Sequence, residues 1–327
     1  MSELENIELN VETAEEENAP ANFYIDLLTG NTETASPKKL LIQKVLRQLL
    51  DGYGFNRGDL ETNYNPRIAG RGRARIDIAI FKSNAEHNNE NLQRIVVCVS
   101  QRKRDKLRTF QEADADIQPL RELMELLPNA SLGLWTNGQE EFMVRVEQTR
   151  FETILKPIGI WPAPEEGTTD LGRTGGVIQV AADAEGLQDA LGRCLQYLNR
   201  NLGLDHKDAF KQLAVLVFAK MYDEAQPFVN RLFWLKGEEP YTEEGQQAIA
   251  DRINQAVTKA KAWQPGLLAR GWDLTLAPQE VAVVVKELAR YALRDTQPKY
   301  RTTAFRSIAR GVMDGREGRY PTPLNVS

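Results

Sequence analysis

The sequence predicts an α/β domain built on a mixed sheet with flanking helices, followed by a mostly helical bundle domain. Three observations predict it. Between residues 60 and 146, apolar runs of strand length alternate with turn residues and with one amphipathic stretch. Beyond residue 181, apolar positions recur at helical spacing in five successive segments. Between these regions, Pro157 to Gly176 contains three prolines and five glycines, with Trp161-Pro162-Ala163-Pro164 at its centre. Such a composition marks a boundary. The expected organisation is an acidic leader over residues 1–20, a sheet domain over 21–160, a linker over 161–180 and a helical domain over 181–327.

Residues 1–20 hold seven glutamates, no base and no aromatic residue. They read as a disordered leader, because such a segment buries too little to order itself. After Ser36-Pro37 the segment KKLLIQKVLRQLLDGYG places Leu40, Leu41, Val45 and Leu49 at helical spacing. Ser36 suits the N-cap, Pro37 the first helical position, and Gly52 or Gly54 the end. Leu60 to Pro66 and Arg75 to Phe81 read as strands joined by the turn Ala69-Gly70-Arg71-Gly72. Ile95 to Ser100 is nearly all apolar, as for a central strand covered on both faces. Thr109 to Leu127 reads as a helix, Leu132 to Trp135 as a strand, Asn137-Gly138 as a two-residue turn and Phe142 to Val146 as a strand.

In the second half, helices are expected over about Gly186–Asn201, Lys207–Ala225, Thr242–Trp263, Pro278–Leu293 and Arg301–Val312. The run DAFKQLAVLVFAKMYDEA has an apolar face too wide for a surface helix, which places it at the bundle's centre. Phe228 to Leu235 and Trp272 to Leu276 read as strand-like interruptions.

At 327 residues with 42% apolar and 27% charged composition, the chain has the balance of a globular protein of two domains. It has no membrane-length apolar run and no secretory pattern, so a cytoplasmic protein with no membrane association is expected. The two cysteines, Cys98 and Cys194, lie in apolar patterns without CxxC spacing, which indicates buried thiols rather than disulfides or zinc ligands. With two histidines, His87 and His206, imidazole chemistry has little support. The net charge of −5 conceals an uneven spread: residues 67–108 hold eleven Lys or Arg against four Asp or Glu. A basic patch on an acidic chain points to nucleic acid, with a solvated charged face as the alternative.

That patch surrounds two predicted strands, RARIDIAIF with Asp77 and IVVCVSQRK. Taken in order, the first helix, LETNYNP, these two strands, a Gln-bearing helix and LGLWTNGQEEFMV resemble the N-terminal nuclease domain of type I restriction enzyme R subunits, over about Ser36 to Ile160. The resemblance implies a restriction-endonuclease-like sheet. The second half resembles the helical N-terminal domain of type I adenine-N6 DNA methyltransferases, through Ala209-Phe210 to Glu224, Trp272-Asp273-Leu274 to Ala304-Phe305, and Gly318-Arg319-Tyr320-Pro321-Thr322-Pro323. In that family the last segment opens the binding region for S-adenosylmethionine, so Thr322 and Pro323 would contribute only with a complete methyltransferase core; alone they read as a chain end. No Asn-Pro-Pro-aromatic motif or glycine-rich cofactor loop occurs. The resemblance therefore implies a chain that stops before the core.

Nucleases of this class hold Mg²⁺ with an Asp on one strand and a Glu-x-Lys on the next, and the lysine orients the attacking water. Asp77 fills the first role. Cys98 and Ser100 stand at the Glu and Lys positions, and a thiol and a hydroxyl are poor Mg²⁺ ligands. Asp77 reads equally as a remnant ligand or as an acid bracing the basic turn through Arg73 or Arg75. Glu61 is the second acid available to a migrated site. Arg71, Arg73, Arg75, Arg102, Lys103, Arg104 and Lys106 bracket the same strand ends and read as phosphate contacts. Gln111 reads either as the family's DNA-holding glutamine or as a solvated polar residue.

The expectation is a DNA-binding component of a restriction-modification, anti-phage system with a degenerate, inactive nuclease-like domain. DNA, other restriction-modification subunits or a methyltransferase core are its expected partners, and no cofactor is expected for this chain alone. Two rivals are an active Mg²⁺-dependent endonuclease with a migrated site, and a protein-interaction module without DNA binding.

Overall fold

The structure, a computed structural model, describes residues 23–68, 74–100, 104–148, 153–162, 184–266 and 271–313, the side chains of 148 and 310–313 excepted. It opens with a hairpin absent from the sequence reading, β1 (Phe23–Ile25) and β2 (Thr32–Thr34). Helix α1 (Pro37–Arg47) follows. The Ser36 hydroxyl accepts from the Lys39 amide and Pro37 sits in the first turn, as expected of these residue types. Gln43 on α1 ties the hairpin down: its amide donates to Asp26 Oδ2 at 2.7 Å and its carbonyl accepts from Leu27 N at 2.8 Å. The helix then widens into a π-helical turn, Gln48–Gly52.

Six strands form one mixed sheet: β3 (Leu60–Tyr64), β4 (Ile76–Phe81), β5 (Leu92–Cys98), β6 (Leu132–Thr136), β7 (Glu141–Gln148) and β8 (Thr153–Ile158). They lie side by side in chain order, and only β5 and β6 run parallel. A parallel pair needs a crossover, which α2 (Asp114–Leu126) supplies. One sheet face packs under α2 through Ile76, Ala79, Phe81, Ile95, Val97 and Trp135, and the other packs under α1 through Ile78, Ile80, Val96, Cys98 and Leu134. At Gly133 a Cβ would stand 2.7 Å from Met124 Sδ and 3.0 Å from Leu120 Cδ1, so the missing side chain lets α2 lie close on the sheet.

Several expectations shift. β8 was not read as a strand, and its last two residues fall in the stretch taken as the boundary; Pro157 pairs with Val144, but on the outer strand, where a missing amide interrupts no inner ladder. Trp161 and Pro162 also belong to the sheet half: Trp161 is buried against Tyr53, Phe55 and Arg94, whose guanidinium donates to the Pro162 carbonyl. β5 ends at Cys98, so Ser100 lies beyond the strand and exposed. Gln111 sits in the turn that precedes α2 instead of on the helix. The Asn137-Gly138 connection is a four-residue loop, because Asn137 Oδ1 accepts from the amides of both Gln139 and Glu140.

The second half is mostly helical: α3 (Ala184–Gln196) with a π-helical turn at Tyr197–Asn201, α4 (His206–Glu224), α5 (Glu243–Trp263), α6 (Pro278–Leu288) and α7 (Pro298–Met313). As its wide apolar face predicts, α4 is central, with Leu213, Val215, Leu216 and Ala219 all buried. The two stretches read as strand-like form no strand. Phe228–Leu235 contains a 3₁₀ turn and is held by Asp223, whose carboxylate accepts from the amides of Leu232 and Phe233. Residues 272–276 are irregular. α6 ends earlier than expected, and the amides of Leu293 and Arg294 donate to the Glu224 carboxylate. Among the described residues no helix is long and apolar enough to cross a membrane.

Candidate functional site

The sheet's side-chain alternation breaks at Asp77. Ile78 packs on the α1 face, whereas Ile76 packs on the α2 face, and opposite the break Asn63 adopts φ +57° between the pairs Thr62–Ile78 and Tyr64–Ile76. A non-glycine residue in that region marks a local departure from the ladder. Asp77 is 5% exposed. Its Oδ1 accepts from the Lys38 ammonium of α1 at 2.7 Å, and its Oδ2 accepts from the Cys98 amide at 2.8 Å. Both oxygens are thus engaged, one by a half-exposed cation and one by the neighbouring strand.

The partners of Asp77 are thus not the basic-turn arginines through which it was expected to brace that turn. Arg75 donates to Asn63 Oδ1, and Arg73 lies outside the described residues. Lys38 stands in the first turn of α1. In the structure it places an ammonium beside the aspartate, from the first helix rather than from the strand that follows.

Cys98 sits next to this pair, fully buried. Burial first, and the Asp77 charge second, push its thiol well above the usual range. In register with it lie Thr136 on β6 and then Glu141 at the start of β7, so all three share the α1 face. Glu141 is an acid on this face that sequence reasoning missed, because its position follows only from the register of β6 and β7. It is roughly 14 Å from Asp77, three strand spacings away, and it is ion-paired with Arg290 of the helical half. Burial opposes its charge, but Arg290 and then Arg193 outweigh that and hold the carboxyl below the usual range.

Glu61, the second acid proposed for a migrated site, is not brought to Asp77. It pairs across the ladder with Ala79 of the α2 face and bonds His87 Nδ1 at 2.9 Å, while that imidazole stacks on Phe81 of the same face. Ser100 is exposed beyond the end of β5. Among the described residues no three His, Cys, Asp or Glu side chains are grouped to hold a metal ion.

Of the expected phosphate contacts, Arg71, Arg73, Arg102 and Lys103 lie outside the described residues, as do Thr322 and Pro323. Arg75, Arg104, Lys106 and Gln111 are described and exposed. Arg75 meets a neutral amide, so its charge is left uncompensated there. Arg104 comes no closer than 3.9 Å to Asp116. Arg108, at the end of the basic stretch, is different: it is largely buried and bonded to Glu140 and Asp116, a structural cation.

Residues 40–157 match the family model described as the type I restriction enzyme R protein N terminus. The matched segment runs from within α1 to the last residues of β8, and so takes in Asp77, Cys98 and the whole sheet except the last residue of β8. None of the curated proteins matches the chain.

Proposed function

From that match and the geometry of Asp77, we propose that this chain is a nuclease-like component of a restriction-modification system that holds DNA without cutting it. One observation carries the second half of the statement. The single family-position carboxylate already has Lys38 on one oxygen and the Cys98 amide on the other, and a buried neutral thiol stands where the second carboxylate is needed. Mg²⁺ takes oxygen ligands in near-octahedral geometry, with one or two carboxylates and several waters. The residues present do not fit such a site, and no metal-dependent step is derived for them. Glu61, on the opposite sheet face, does not repair it.

DNA contact is assigned to the exposed cations at the strand ends, Arg75, Arg104 and Lys106, together with Arg71, Arg73, Arg102 and Lys103. Their closeness in sequence around β4 and β5, and the presence of Gln111 beside α2, support this reading. The helical half is assigned the role of the N-terminal domain that accompanies type I DNA methyltransferases, on its α4-centred bundle and the motifs of the second half. Its proposed partners are DNA and other restriction-modification subunits.

The test uses the purified chain, supercoiled plasmid, and Mg²⁺ or Mn²⁺. Plasmid is expected to stay intact at protein concentrations that retard it in a gel. Metal-dependent nicking that disappears in Asp77→Ala overturns the non-cutting reading. Absence of retardation at low salt overturns the DNA-holding one and favours a protein-interaction module.

A further inference from the structure

The loop that follows β5 is held by both halves of the molecule. From the sheet side, Gln139 pairs with both main-chain groups of Arg104, accepting from its amide at 2.7 Å and donating to its carbonyl at 2.6 Å. Glu140 accepts from the Arg108 amide at 2.8 Å. From the helical side, Gln196 donates to the carbonyls of Arg104 at 2.8 Å and Asp105 at 3.1 Å. Asn201 pairs with both main-chain groups of Leu107, accepting at 3.1 Å and donating at 2.6 Å. Residues 104–108 are thereby fixed through their backbone, which leaves the side chains of Arg104 and Lys106 exposed.

Arg200 immediately precedes the clamping Asn201, in the π-helical turn that ends α3, and is exposed. Such turns are uncommon, and here the widened turn carries both the residue that grips the loop and a cation beside it. Among the described residues Arg200 and Lys106 have no carboxylate partner within ion-pair distance. One exposed acid, Asp105, lies between Arg104 and Lys106. The strip therefore carries three cations, drawn from two halves and held by side-chain amides, against the exposed Asp105 and the half-buried Asp116, which lies 3.9 Å from Arg104 and is already bonded to Arg108.

We propose that Arg200 completes a phosphate-contact strip with Arg104 and Lys106, so that duplex DNA runs across the junction of the two halves rather than over the sheet alone. The proposal rests on the DNA-holding reading above, and it adds a contact that no motif of the second half marks. Phosphate contacts release counterions, so each one adds about 0.9 to the steepness of the logarithmic salt dependence of binding. A preformed strip also avoids the ordering cost of a mobile basic loop.

The experiment measures binding of the full chain to a fluorescein-labelled duplex by anisotropy over a series of salt concentrations. Arg200→Gln is expected to weaken binding about five- to tenfold near 0.1 M salt and to lower the salt slope by about one, as Arg104→Gln and Lys106→Gln should. Lys259→Gln, an exposed α5 lysine that removes the same net charge, serves as control and should leave the slope unchanged. If the unaltered chain binds no duplex at low salt, the DNA-holding reading itself fails. If Arg104→Gln and Lys106→Gln weaken binding but Arg200→Gln does not, the DNA-holding reading stands and the strip is refuted. Equal losses for Lys259→Gln and Arg200→Gln also refute the strip, since they would report a diffuse field.

Discussion

At the scale of single residues, the most informative pair is Lys38 and Asp77. A carboxylate 5% exposed needs compensation, and it receives one charge and one backbone donor. Because about half of Lys38 faces solvent, its attraction is screened, and the pair stabilises the fold by about 1 kcal/mol rather than by the value of a dry ion pair. Lys38→Met is therefore expected to cost about 1–2 kcal/mol in urea unfolding, and much less when Asp77 is already Asn. The coupling from that double-mutant cycle checks the assignment, and a value near zero would show that the Cys98 amide alone satisfies Asp77. The expectation that Cys98 and Ser100 stand at the Glu and Lys positions came from the resemblance of the two strands to the nuclease family. The sequence could not indicate that an ammonium returns to Asp77 from 39 positions upstream, because that depends on how α1 lies across β4 and β5.

At the scale of elements, legibility followed periodicity. α1, the α4 core helix and strands β3 to β7 carried their patterns in the sequence, since each has a face that alternates or recurs with the right period. β8 did not, because Lys156, Pro157 and Gly159 look like linker composition; only its place at the sheet edge makes Pro157 tolerable. The β1–β2 hairpin was equally silent: Phe23 and Ile25 are exposed, so the hairpin leaves no buried alternation, and its anchor is the polar Asp26–Gln43 contact. Close packing between elements leaves a sharper mark at glycine. At Gly133 an added methyl meets the flexible end of Met124 and also two Leu120 carbons, at 3.0 and 3.1 Å, which have less room to move. Gly133→Ala is expected to cost about 1–3 kcal/mol by lifting α2 from β6, read as a lowered midpoint of denaturation. A neutral result would mean that Met124 alone yields and that the helix–sheet approach does not depend on this glycine.

At the scale of the whole molecule, the two halves meet through charge as well as apolar contact. Glu141 at the start of β7 is ion-paired with Arg290, just beyond α6. Arg290 lies 4.0 Å from Glu287, and Glu287 is bonded to Arg193 of α3 at 2.8 Å. All four groups are mostly or fully buried, so each would be costly alone, and the alternation of acids and guanidiniums compensates them. A second bridge joins Lys44 of α1 to Asp189 and Glu185 of α3. The alternation has a pH signature. Burial by itself would raise the Glu287 carboxyl, but Arg193 and Arg290 more than reverse this and bring it to about 2, against an ordinary 4.5. A carboxyl lowered in the folded state contributes stability that is complete above the unfolded value and is lost as pH falls through the folded one. The loss from Glu287 therefore begins near pH 4.5 and runs down toward pH 2, with an upper bound of about 3 kcal/mol. Glu141, also lowered, titrates in the same direction. Glu287→Gln should be less stable than the unaltered chain at neutral pH, because Arg193 and Arg290 lose a counter-charge. Its stability should then fall less steeply between pH 4.5 and 2.5, so that the two curves converge in acid. Parallel curves would show that the junction's charges do not set the acid limit of the fold, and would leave apolar contact as the chief tie between the halves.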